Sequence, residues 1–368
     1  MHGFNKRLIG RSLVSGIAVT LFTFSYAAAL PNNQVAWALD DQPTASHYTP
    51  GPEFSFNAGN AIYFQNWMDS AGAAISEVTF VNLRGRPPSN VQITAVNSAG
   101  YCAPTNWVHG SSQSTAIVAC FDASGNPALS EYAILYQARN APLGTPTRGI
   151  AYLLADRKTT ANYTANPAYS YNSTGGTNTL TRNGMGNYTA SLPGYTKSGG
   201  EVLVTAVLGT FGSDHEFRCK ASGWSNANAV TTVNVRCFDS TGAAADSQFS
   251  LAYALGEPFA ASTAKTAKAA YGWANMPSAA TPYTLPAATR FNSFGTGALT
   301  AQNTGTGEYD VTIPGNPSFS SSIALATAHG TDNSYCDITT WLPIGVACYA
   351  QGGAPVDTQF DVAFQTAQ

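Results

Sequence analysis

Asp214, His215 and Glu216 place three ionisable side chains in a row, a grouping that can hold a metal ion or move a proton. Adjacent positions seldom converge on one ion, and no helical pair of histidines stands ready to help. The triplet therefore reads as a solvated loop tip. No Gly-x-Ser-x-Gly elbow and no phosphate-binding loop occurs in the 368 residues. Carboxylates are sparse and scattered, so no acid–base pair can be named. No catalytic residue is assigned, and neither a cofactor nor a metal is expected.

The cysteines show why chemistry is hard to find. Cys102, Cys219 and Cys336 follow one another at intervals of 117 residues, and each precedes a tryptophan by five positions: Trp107, Trp224 and Trp341. A second cysteine closes each unit at Cys120, Cys237 and Cys348. One unit is thus written three times, and nothing catalytic recurs with it. The repeat favours the pairings Cys102–Cys120, Cys219–Cys237 and Cys336–Cys348. Closing each loop stabilises the fold by roughly 3 kcal/mol in the chain-entropy picture. A zinc site would need four ligands, and His109, His215 and His329 do not occupy equivalent places. The tryptophans are expected to pack as core beside their disulfides.

The elements that position these residues are short strands. After the second cysteine comes Cys120-Phe121-Asp122, then Gly125, Pro127, Ser130, Tyr132, Ile134 and Tyr136. The same offsets give Cys237-Phe238-Asp239 through Tyr253, and Cys348-Tyr349 through Phe364. This pattern predicts a β-hairpin whose return strand buries one face and solvates the other. The strand before the first cysteine reads Val91-Gln92-Ile93-Thr94-Ala95-Val96, then Val202 to Val207, then Ile323 to Ala328. Aromatic–Asn pairs at 56–57, 171–172 and 291–292 recur beside turns and read as structural. With no convincing amphipathic helix, the expected fold is all-β. It would be three tandem antiparallel β-sandwich repeats of about 100–117 residues, immunoglobulin-like in architecture, strung like beads. Their expected bounds are 30–138, 148–255 and 268–368.

Lys6, Arg7 and Arg11, an apolar run from about Leu13 to Tyr26 and Ala27-Ala28-Ala29 read as a signal peptide over 1–29. Secretion is expected, from a bacterium, with no membrane span after cleavage. The sequons at Asn162, Asn172 and Asn187 are then expected to be unused. Charged residues make up 10% of the chain and the net charge is −3, so a basic nucleic-acid-binding surface is not expected.

Repeat 1 departs from its siblings at Ile62-Tyr63-Phe64-Gln65-Asn66-Trp67-Met68, where the others carry polar stretches. Tyr63, Phe64 and Trp67 are the candidate ligand-binding residues, because contiguous exposed aromatics mark interaction sites. The resulting expectation is a secreted binding or adhesion protein that recognises glycan or cell-surface material. The alternatives are a structural component of an extracellular layer or appendage, and a hydrolase with its site in one repeat.

Overall fold

The computed structural model describes residues 33–57, 60–83, 88–139, 145–209, 217–259, 268–315 and 320–367. The signal segment and the Asp214-His215-Glu216 triplet lie outside these residues. Repeat 1 supplies β1 (Asn33–Asp40), β2 (Ile62–Met68), β3 (Ala74–Val81), β4 (Ser89–Ala95), β5 (Tyr101–His109), β6 (Gln113–Phe121) and β7 (Tyr132–Arg139). Repeat 2 supplies β8 (Gly149–Ala155), β9 (Asn162–Thr164), β10 (Tyr171–Asn172), β11 (Thr179–Gly184), β12 (Asn187–Pro193), β13 (Glu201–Val207), β14 (Arg218–Ala227), β15 (Val230–Phe238) and β16 (Gln248–Leu255). Repeat 3 supplies β17 (Lys268–Ala274), β18 (Tyr283–Thr284), β19 (Phe291–Asn292), β20 (Thr300–Gly305), β21 (Glu308–Thr312), β22 (Ser322–His329), β23 (Tyr335–Trp341), β24 (Ile344–Tyr349) and β25 (Gln359–Thr366).

The strands are all-β as expected, and the three disulfides form in the expected pairs. Three separable immunoglobulin-like sandwiches do not form. One nine-stranded sheet, in the order β19-β17-β25-β22-β14-β15-β12-β11-β9, interleaves strands from residues 162–366. It crosses from repeat 3 into repeat 2 through the parallel bridge Ala221↔His329. A second parallel bridge, Val96↔Ile338, ties repeat 1 to repeat 3. Pro31–Gln368 forms one compact unit.

The expected hairpin is also corrected. The strand ending at the second cysteine pairs with the strand carrying the first cysteine, so Cys219 faces Cys237 in β14–β15. The return strand β16 leaves that sheet and pairs with β8 and β13 instead. Asp239 turns the chain between them, its Oδ1 accepting the backbone N–H groups of Thr241 and Ala243. Nor does the return strand solvate one face: β16 is buried from Phe249 to Leu255. Period-2 patterning reports side-chain alternation, and here the small polar face is covered by the neighbouring repeat.

The three strands that meet between repeats are β4, β13 and β22, all fully buried. Ladder pairing aligns them one residue differently from the sequence reading. Val91 faces Tyr136, Val202 faces Tyr253 and Ala324 faces Phe364, so Ala324 stands where Ile323 was expected. With that register a closed cycle appears. The Thr94 hydroxyl donates to the Ala326 carbonyl and accepts from its N–H. Thr205 holds the Ile93 backbone in the same way, and Thr327 holds Val204. Repeat 1 thus clips repeat 3, repeat 3 clips repeat 2, and repeat 2 clips repeat 1.

A second cycle uses a β-bulge. The pairing of each cysteine hairpin slips at the same place, between Pro104/Asn106, Ala221/Gly223 and Ile338/Thr340. The carbonyl before each bulge accepts a backbone N–H from another repeat: Leu208 to Pro104, Gly330 to Ala221, and Asn97 to Ile338. Bulges re-aim backbone groups, and here they supply the docking carbonyl. The extra residue also explains the five-residue spacing from cysteine to tryptophan. Five positions would put the pair on opposite faces of a regular strand, and the bulge returns them to one face.

Candidate functional site

The tryptophans pack with their own disulfides as expected, Trp107 and Trp341 buried and Trp224 half-buried, and each also reaches a seam. Trp107 meets Tyr169 of repeat 2 edge-on, Trp224 meets Trp273 and His329 of repeat 3, and Trp341 meets Phe54 of repeat 1. The aromatic–Asn pairs are structural, as read. Asn57, Asn172 and Asn292 each donate from Nδ2 to a backbone carbonyl across the repeat, at Val81, Pro193 and Pro314.

Polar groups concentrate between the inner strands. Asn90 Nδ2 donates to Ser250 Oγ at 2.6 Å across the seam between repeats 1 and 2. At the equivalent places between repeats 2 and 3, Glu201 faces Asp361, both fully buried. Burial pushes both carboxyls up, and the neighbouring carboxyl raises Glu201 further. His329 Nδ1 lies 3.1 Å from Asp361 Oδ2. The third seam places Ile323 and Ala133 in one apolar cluster.

A chamber of about 60 Å³ is lined by all three repeats and by Cys102, Cys219 and Cys336. The residue before each cysteine faces it: Tyr101, Arg218 and Tyr335. The residue after the cysteine adds Lys220 and Asp337. The Arg218 guanidinium carbon lies 4.9 Å from the Tyr101 ring centre and 4.6 Å from that of Tyr335. Its Nη2 donates to Gln351 Oε1 and to the Asp239 carbonyl. Lys220 Nζ donates to Asp332 Oδ1 and Ser334 Oγ. Burial lowers the pKa of Arg218 and Lys220 and holds Asp337 well above the usual carboxylate range. Sequence reading did not single out these residues. The available signal was charge at Arg218, Lys220 and Asp337, positions where other copies carry Tyr or Ala.

A Ser–His–Tyr group lies in repeat 1. Ser89 Oγ is 2.9 Å from His109 Nε2, and His109 Nδ1 is 2.8 Å from the Tyr136 hydroxyl. Ser89 is fully buried and its Oγ already accepts the Trp107 indole N–H at 2.9 Å. The group ties β4, β5 and β7 together and offers no accessible nucleophile. Burial lowers the pKa of His109.

The expected ligand-binding residues divide by strand alternation. Phe64 is fully buried and stacks on Tyr48 with ring centres 5.3 Å apart. Tyr63 and Trp67 belong to the opposite face of β2, where Tyr63 is 38% exposed and stacks on His47 at 5.6 Å. Ladder pairing sets Phe64, Leu180 and Ala301 at equivalent core positions. Along the same ladders Tyr63 corresponds to Thr179 and Thr300, and Trp67, past the bulges at Arg182/Gly184 and Asn303/Gly305, to Gly184 and Gly305. Comparisons with protein-family models, curated proteins and solved structures find no match for this chain.

Proposed function

We propose that the chain is a secreted binding or adhesion protein that engages glycan or cell-surface material through the outer face of β2. One observation carries this reading: two aromatic side chains stand on that face where repeats 2 and 3 carry Thr or Gly. The exposed Tyr63 and half-buried Trp67, beside polar groups such as Gln65, suit sugar rings, which present an apolar face and a hydroxyl rim. The segment through Ser46 and Tyr48 pairs with the outer edge of β2 at Phe64 and Asn66, and His47 extends the aromatic face by stacking on Tyr63.

The test is a glycan and cell-surface panel run with wild type, Tyr63→Ala and Trp67→Ala. Tyr63 makes no hydrogen bond into the core among the described residues, so Tyr63→Ala is expected to change stability by less than about 1 kcal/mol. Binding is expected to fall at least tenfold in both variants. Binding that survives both substitutions moves the site off this face. A wild type that binds nothing on the panel overturns the reading.

A further inference from the structure

We propose that the chamber between the three repeats is a binding site for one small oxyanion, held by Arg218 with Lys220 beside it. Arg218 is only 6% exposed, and its Nε and Nη1 donors have no hydrogen-bond partner among the described residues. A buried guanidinium with unfilled donors is costly. A phosphate, sulfate or carboxylate oxygen would supply the missing acceptor through a charge-assisted hydrogen bond.

The charge around the chamber is uneven in the required direction. Arg218 and Lys220 are cations, and among the described residues Asp332 is the single carboxylate hydrogen-bonded to either of them. Asp337 also lines the chamber, where burial holds its carboxyl well above the usual carboxylate range. The volume of about 60 Å³ admits roughly four to six water-sized groups, which limits the ligand to a small ion.

The asymmetry of the repeats argues for a built site. Three equivalent arginines would bring like charges together between the repeats. Repeat 2 alone carries the cation, and repeats 1 and 3 offer the faces of Tyr101 and Tyr335 at the same position. The two rings flank the guanidinium by cation–π contact at 4.9 and 4.6 Å. Sugar recognition on β2 is independent of this site.

The experiment is calorimetric titration of the whole protein with sodium phosphate, with sulfate and acetate as parallel arms. One saturable site per chain is expected, despite three repeats. The arms separate tetrahedral oxyanions from carboxylates. Arg218→Met should weaken binding more than tenfold, and Lys220→Met should weaken it less. If Arg218→Met fails to fold, the site stands or falls on Lys220→Met and on the wild-type stoichiometry. Absence of saturable binding in all three arms overturns the proposal, as does a stoichiometry of three. Affinity unchanged by every folded variant overturns it too.

Discussion

Asp40 is a carboxyl buried without a cation among the described residues, and it makes stability depend on pH. Tyr48 donates to its Oδ1 at 2.7 Å, and Ser76 donates to its Oδ2 at 3.0 Å. Burial outweighs these bonds and pushes the pKa up to about 6. The folded protein therefore keeps a proton that the unfolded chain releases near pH 4. This contribution is fully present below about pH 4 and is lost as pH rises through 6, a fall of about 3 kcal/mol. In Asp40→Asn the amide can donate to Ser76, whose hydroxyl can turn towards Tyr132 at 2.7 Å. Urea unfolding of wild type and variant at pH 4.5 and 7.5 checks the point. The variant is expected to gain relative stability at the higher pH, and a difference that does not change with pH would remove Asp40 as the cause. Asp40 was not legible in the sequence. Repeats 2 and 3 carry Ala155 and Ala274 in its place, and its partners lie on distant strands.

At the scale of elements, the problem is the free edge of an inner strand. β4 and β13 end their sheets, and an unpaired backbone edge invites pairing with another chain. Thr94, Thr205 and Thr327 answer this by mimicking a ladder partner, donating to one backbone group and accepting from another. Valine keeps the shape and removes both bonds, leaving a buried N–H unpaired. Each of Thr94→Val, Thr205→Val and Thr327→Val is therefore expected to destabilise by about 1–3 kcal/mol. Denaturant midpoints at constant slope measure it, and three neutral substitutions would show that the clips contribute nothing. Threonine in Thr94 and Thr205 was visible as a repeated residue, but its role was not. The one-residue shift of β22 hid Thr327 opposite Ala95 and Ala206. The strands themselves were legible from their alternation. Their partners were not, because Asp239 and its equivalent Asp122 build a turn that reads the same whether the chain returns beside β15 or crosses to β8.

At the scale of the molecule, the spacing of 117 residues reveals three copies and is silent on whether they stand apart. Closure rests on backbone carbonyls at Pro104, Ala221 and Ile338, and a carbonyl has no sequence signature. The seams are apolar as well as hydrogen-bonded. One core cluster joins Trp37 and Leu135 of repeat 1 to Leu203 of repeat 2 and Leu325 of repeat 3. Each repeat cut from the ring would expose that surface and leave its clip without a partner. Removing one repeat breaks two of the three seams at once. Unfolding is therefore expected to be one cooperative event, with calorimetric and van 't Hoff enthalpies equal. Residues 148–255 expressed alone should lack the sharp melting and dispersed amide signals of a packed domain. Three resolved calorimetric transitions, or a well-folded excised repeat, would mean that the seams dock finished domains. A single transition together with an unfolded fragment would mean that the ring itself is the unit of folding, and that the chamber between the repeats exists only when all three are in place.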